Sequence, residues 1–251
     1  MKLILIAITC LALLFTPLQS KELIIMGSDN RPPKYYIRSG IPAGFVVEMT
    51  EYIMEQTSQT YSIKLFPWKR AYLLSLRGEG ALIGLSKNQK RLALFDYSKA
   101  MYFTDLMLIV RTNNKFKFED LKDLKGKTIS VVRGGSYGDE FEKAVQDKIF
   151  KKHEHSDPVS AINLLLRGHV DAVVYGPGKY GFEQLFRRNP QLIKDKKKLT
   201  LLEKPFKRDA NYLGIPKQLK MTEFIKAFNK GIDKGYETGA FDEIIKRHYI
   251  H

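Results

Sequence analysis

The chain has 251 residues, a hydrophobic share of 44% and a formal net charge of +15. That length and apolar share suit one large domain or two small lobes around a buried core, and they exclude a disordered or fibrous chain. The charge turns attention to nucleic acid, anionic membrane surfaces or acidic ligands as partners.

Lys2, the apolar run LILIAITCLALLF and the small residues ending at Ser20 have the pattern of a secretory signal peptide. Residues 1–20 are therefore expected to be removed, with cleavage after Ser20, and the mature protein to act in the periplasm. The run is too short to span a bilayer comfortably, and no later segment approaches the length needed. Cys10 raises lipidation as an alternative, but Ala7-Ile8-Thr9 match a lipobox poorly. It is the one cysteine of the chain, so its removal leaves neither a disulfide nor a thiol nucleophile. Secretion argues against nucleic acid as a partner, and the basic clusters at 151–152 and 194–198 read as solvated faces.

Residues 23–27 (LIIMG) read as an opening strand and 28–33 as the loop leaving its end. Ligands of open α/β sheets sit in the crevice beyond the strand ends, which makes Asp29, Asn30, Arg31 and Tyr35 cleft candidates. The competing reading is a proline-stiffened surface turn. A helix follows, with Phe45, Met49, Tyr52, Ile53 and Gln56 on one face. Residues 62–66 read as the second strand, after which Pro67-Trp68-Lys69-Arg70 opens a helix through Leu76. Proline suits a first helical turn because the amide it lacks would have no partner there.

The stretch 81–98, ALIGLSKNQKRLALFDYS, begins as a buried strand and continues as a polar loop carrying Ser86, Lys87, Lys90 and Arg91. A hydroxyl and a guanidinium at this spacing, just beyond a strand end, can converge on one anion. The planar fork of arginine can give a carboxylate two parallel charge-assisted hydrogen bonds, and serine adds a directional hydroxyl. Alternatively Arg91 is a surface charge in a connecting loop.

The pattern G-L-S-x-x-x-x-R-x-x-x-F-D-Y-S, which runs from Gly84 to Ser98, resembles the signature of the family 3 periplasmic solute-binding proteins, polar amino acid receptors of ABC importers. The likeness extends over nearly the whole mature chain. It implies an α/β, two-lobe periplasmic binding protein fold of type II, each lobe a mixed sheet flanked by helices, with two interlobe crossings. It also implies that Ser86 and Arg91, beside Gly84, hold the ligand's carboxylate. An aromatic at the junction before the second helix stacks on the ligand in this family, which makes Trp68 the stacking candidate; otherwise it belongs to the core. Pro32-Pro33-Lys34-Tyr35-Tyr36 takes the place of the family's aromatic-rich first loop.

Residues 100–110 read as an apolar strand leaving the first lobe, and Thr112-Asn113-Asn114 as the first crossing. A helix-like segment at 118–124 and a strand at 128–133 follow. Gly134-Gly135-Ser136 then precedes a helix over 137–150 whose Phe141, Ala144, Val145 and Ile149 share a face. A glycine-rich turn at a helix start points N–H groups into the crevice and forms an anion site without a basic side chain. It is neither a Walker loop nor a dinucleotide fingerprint, since the later glycine and lysine are missing. The resemblance puts the Ser136 hydroxyl on the ligand carboxylate, with Arg133 and Gly135 beside it.

His153-Glu154-His155 has no matched third ligand and reads as an exposed polar turn, so no metal or other cofactor is expected. After a helix over 159–167, the stretch 167–176 echoes 77–84: a helix end, a turn and a strand reaching a glycine. The echo places Tyr175, Gly176, Pro177 and Tyr180 on the second lobe's side of the cleft. Amino acid receptors of the family carry an aspartate at the position of Gly176, where it pairs with the ligand's ammonium. Without it the charged partner is lost, unless Asp29 supplies a carboxylate from the other lobe. Residues 179–189 read as a helix, 190–198 as a charged loop, 199–203 as a short strand, 204–211 as the second crossing, and 212–215 as the return to the first lobe. Two helices, over 222–237 and 240–248, close the chain.

This organisation divides the chain into a signal peptide (1–20), a discontinuous first lobe (21–110 plus 212–251) and a second lobe (111–211). The function it implies is capture of a small anionic or carboxylate-bearing solute, amino acid-like or an organic acid, in the interlobe cleft for ABC import. The partners expected are that small molecule and an inner-membrane ABC permease, with the protein itself a monomer. Two alternatives stay open: a ligand-sensing module for a membrane partner, and a periplasmic dehydratase-like enzyme on the same scaffold. The latter would need an acid or base from Asp29, Asp139 or Glu140. No catalytic residue is assigned.

Overall fold

In a computed structural model the described residues are 22–249, so the expected signal segment lies outside them. The first lobe begins with β1 (Leu23–Ser28), β5 (Tyr61–Phe66) and β6 (Ala81–Leu85), mutually parallel and joined through α1 (Phe45–Met54) and α2 (Trp68–Leu76). Between β1 and α1 lies a small antiparallel sheet of β2 (Asn30–Arg31), β3 (Tyr35–Arg38) and β4 (Ile41–Ala43). The near-continuous apolar runs of β1 and β6 fit strands covered on both faces, as βαβ crossovers require. The register of α1 buries Phe45, Met49 and Ile53 against Phe228 and Ile232 of α7 (Thr222–Glu237) and Phe241 of α8 (Ala240–Tyr249). A second core, with Met26, Ala71, Leu82, Leu85 and Phe95, fills the opposite face of the sheet.

Beyond a short helix α3 (Gln89–Leu92), the chain enters the long strand β7 (Phe95–Arg111), which both lobes share. From Phe95 to Leu106 it pairs antiparallel with β12 (Lys207–Pro216), and from Met107 to Arg111 with β10 (Ala172–Tyr175) and β11 (Leu199–Leu201). The remaining second-lobe strands are β8 (Thr128–Val132) and β9 (Lys151–His155). The strand order is β5-β1-β6-β12-β7-β10-β8-β9, with β11 against β7. The second-lobe helices are α4 (Asp139–Gln146), α5 (Pro158–Leu166) and α6 (Gly178–Arg188). Its two cores again lie on the two faces, one around Phe141, Phe150 and Val174, the other around Ile162, Leu165 and Phe182. Each lobe is thus a sheet between helices, and no helix among the described residues is long and apolar enough to cross a membrane.

The pairing registers show where the long strand changes partners. The switch of partners falls at Leu106 and Met107, inside one unbroken strand, whereas Thr112–Asn114 forms a 3₁₀ turn at its end. Residues 95–111 hold neither glycine nor proline, so nothing interrupts the ladder, and the polar tripeptide marks only its stop. The return strand likewise begins at Lys207 rather than 212. His153-Glu154-His155 is no exposed turn: it belongs to β9, at the end of the strand order, where exposed Lys151 and Glu154 suit an edge and His155 is buried.

Candidate functional site

The strand ends of both lobes face one another across a cleft of about 90 Å³. Arg91 reaches it from a loop whose turn is fixed by Asn88, the N-cap of α3, whose side-chain oxygen accepts from the Arg91 amide at 2.8 Å. The residue as a whole is only 4% exposed. Its Nη1 donates to the Ser86 carbonyl at 3.1 Å, its Nη2 donates across the cleft to the Gly134 carbonyl at 3.0 Å, and its carbon lies 5.0 Å from the centre of the Tyr72 ring. Two N–H groups are used in this way, which leaves the rest of the five-donor fork for another acceptor.

The Trp68 indole N–H donates to the same Gly134 carbonyl at 3.0 Å, while its ring packs against the Met26–Leu82 core. Trp68 is therefore half core and half cleft wall. Asn88 Nδ2 donates to Ser136 Oγ at 2.7 Å, and the Gln89 amide lies 3.3 Å from an Asp139 carboxylate oxygen. At the other rim the Tyr180 hydroxyl donates to the His248 carbonyl, the Tyr180 and Tyr249 rings lie 4.4 Å apart, and the Arg188 guanidinium sits 4.1 Å over Tyr36. The lobes thus touch on both sides of the chamber.

Of the residues singled out from sequence, Tyr35, Trp68, Gly84, Ser86, Arg91, Gly135, Ser136, Tyr175 and Gly176 all line this chamber. Gly84 has φ +77°, and a Cβ there would stand 2.6 Å from the Tyr35 hydroxyl, so glycine is what lets Tyr35 close over the strand end. Asp29 and Arg133 do not line the chamber. Asp29, the residue just past the end of β1, faces a separate hollow with Tyr36, Gln184 and Arg188. Arg133 is exposed, and its amide continues the ladder to the His155 carbonyl at 2.7 Å. The 134–136 turn also departs from the expected N–H cradle. Its helix starts only at Asp139, and the Gly135 amide is spent on the Val132 carbonyl at 2.9 Å.

Ser86 Oγ donates to Asp209 Oδ2 at 2.5 Å, and Lys207 Nζ pairs with the other oxygen of that carboxylate at 2.7 Å. Asp209 and Asn211, both buried, line the chamber from the return strand. Sequence reading left them in a polar crossing, yet the alternation Asp209, Asn211, Leu213 marks one strand face and could have found them. A Cβ at Gly176 would lie 2.9 Å from Leu106 Cδ2 and 3.0 Å from Thr104 Cγ2, so a side chain there has to displace methyl groups of the crossing strand. The chamber's carboxylate is Asp209, not Asp29.

Arg31 and Lys34 also line the chamber. Lys34, missed in the sequence, is 7% exposed, with its ammonium 5.6 Å and 5.9 Å from the ring centres of Tyr35 and Tyr102. Burial and the nearby Arg31 charge push its pKa down to about 8, against an opposing pull from Asp209. Burial raises the Tyr35 phenol, and holds Tyr137 near about 12. His155, behind the wall in the second lobe, is lowered to about 3 by burial and by Arg31. The cations Arg31, Lys34 and Arg91 thus face one carboxylate that already has its own lysine, and the chamber is electropositive. That arrangement can bind an anion. The carboxylates considered for acid–base work, Asp29, Asp139 and Glu140, all lie outside it. Among the described residues no group of three or more His, Cys, Asp or Glu side chains is placed to hold a metal ion.

The sequence model of the bacterial extracellular solute-binding proteins, family 3, matches residues 23–251. A probable amino-acid-binding protein, YxeM of Bacillus subtilis (strain 168), is 26% identical over 149 residues, 57% of this chain. That match spans 54%, about half, of the relative's length. Among solved structures, a histidine kinase sensor domain with similarity to periplasmic binding proteins superposes with a TM-score of 0.76 at 20% identity, covering 91% of this chain and 96% of that one. The amino acid ABC transporter substrate-binding protein AbpA of Streptococcus pneumoniae, bound to L-arginine, gives 0.71 at 20% identity, covering 91% and 94%.

Proposed function

The chain belongs to the bacterial extracellular solute-binding proteins of family 3, and we propose that it captures a small carboxylate-bearing anion between its lobes. The observation that carries this reading is Arg91, nearly fully buried in the cleft yet met, among the described residues, by two carbonyl oxygens and the Tyr72 ring and by no carboxylate. A buried guanidinium with donors left over, beside Arg31 and Lys34, is stabilised when an anion enters. Several structural relatives are described as arginine-binding, including AbpA bound to L-arginine. A cationic side chain would meet repulsion from Arg31 and Lys34 here.

Binding residues would then be Tyr35, Trp68, Gly84, Ser86 and Arg91 from the first lobe, with Gly135, Ser136, Tyr175 and Gly176 from the second. Lobe boundaries fall best at Leu106 and at Lys207, where the strand pairing changes. Both lobes contact the solute only when closed, so its differential affinity favours the closed form. We place the loaded protein in the periplasm, as a monomer that hands its cargo to an inner-membrane ABC permease. Catalysis is not part of the reading, because the chamber's one carboxylate is already engaged by Ser86 and Lys207.

Thermal shift against amino acids and organic acids, with mass spectrometry of solutes released from natively purified protein, tests the proposal. A carboxylate-bearing solute should raise the melting temperature with its concentration. Stabilisation by cationic solutes alone would overturn it.

A further inference from the structure

Lys34 is held where it is by its backbone. Its amide donates to the Arg31 carbonyl at 2.8 Å, and its carbonyl accepts from the Val46 amide at 3.0 Å, so the loop is pinned to the start of α1. A surface lysine would stretch its stem toward water. This one is buried among Tyr35 and Tyr102, next to Arg31, whose charge repels it. Among the described residues neither Arg31 nor Lys34 is in an ion pair, and the carboxylate whose field reaches Lys34, Asp209, is held by Lys207 and Ser86.

Lys34 is buried and Arg31 half-buried beside it, and a buried cation with a like charge at its side and no anion of its own is costly. The two stand apart from Arg91, which sits among Tyr72, Ser86 and Gly134 on a different loop of the same lobe. A single carboxylate on Arg91 would leave them uncompensated. Resting on the reading that the chamber binds an anion, we infer that its solute carries two anionic groups, one held by Arg91 and the other by Arg31 with Lys34. Lys34 then sets specificity. The shared chemistry is a small diacid, with or without an α-ammonium group, for which Asp209 would be the acceptor.

Calorimetric titration with succinate, glutarate, L-aspartate and L-glutamate, against butyrate, L-asparagine and L-glutamine, reads this directly. At least one diacid should bind about tenfold or more tighter than its singly charged counterpart. The Lys34→Met variant should lose that preference, its affinity for the diacids falling about tenfold or more further than its affinity for the singly charged solutes. Arg31→Gln, at a half-buried position, should show the same loss of preference if the lysine variant folds poorly. Preference for the plain diacids or for the amino diacids tells whether the ammonium is needed. Singly charged solutes binding as tightly as the diacids, or an unchanged preference in both variants, overturns this inference alone. Failure of every one of these solutes to bind overturns it together with the anion reading on which it rests.

Discussion

The two walls of the chamber are built from different chemistry. The first lobe supplies Arg31, Lys34 and Arg91, whereas the second lines its side with Val132, Gly135, Ser136, Tyr137, Val174, Tyr175 and Gly176, none of them charged at neutral pH. Asp209 and Asn211 stand on the return strand between them. On the proposed reading, an anion approaching the open protein would meet its charge partners on one lobe, and the other would contribute shape, a hydroxyl and closure. Affinity should therefore reside mostly in the first wall, and the dwell time in the contacts between the walls.

Breaking the first wall gives the largest effect. Arg91→Ala removes the buried charge and should cost about 1.5–3 kcal/mol or more of binding free energy, measured by calorimetry with whichever carboxylate stabilises the wild type. Rewriting the second wall should act through stability instead. Gly176→Asp puts a side chain where Leu106 and Thr104 already lie, and should lower folding stability by about 1–3 kcal/mol in a denaturant titration. A variant as stable as the wild type would contradict this crowding at Gly176. The weakest effect belongs to the seam. Asn88→Ala deletes the 2.7 Å bond to Ser136 and the cap on α3, for about 0.5–1.5 kcal/mol, seen as faster dissociation in stopped flow.

The walls also differ in their response to pH. Lys34 holds its proton less tightly folded, at about 8, than unfolded, at 10.5, so the unfolded chain binds more protons between those values and stability of the unliganded protein rises with pH across that window. Lys34→Met should remove that rise, and anion affinity of the wild type should fall as pH climbs past about 8. In the second lobe His155 is lowered from 6.5 to about 3, so stability is lost as pH falls from about 6.5 toward 3. Thermal melts of the two variants across pH separate these contributions, His155→Phe being expected to flatten the acid limb alone.

Much of this was legible in the sequence, and the exceptions share a cause. Strand and helix runs such as 23–27, 62–66 and 222–237 declared themselves through burial periodicity, and the Ser86 to Arg91 spacing picked out two residues that line the chamber. Polar residues on strands were harder: Asp209 and Asn211 look like linker because their burial depends on a partner strand more than a hundred positions earlier. Lys34 was hidden for a related reason, since a lysine between Pro33 and Tyr35 gives no local hint that the loop folds inward. Asp29 and Arg133 failed in the opposite sense. Each neighbours a chamber residue in sequence, but stands one residue past the end of its strand and outside the chamber lining.

A crystal structure of the protein with its natural solute, recovered by native purification, tests the central claim most directly. The account predicts an anionic oxygen within hydrogen-bonding distance of the Arg91 guanidinium, between first-lobe cations and the Gly135–Ser136 turn. A solute that presents a cationic or uncharged group to Arg91, or that binds outside the interlobe chamber, would contradict it.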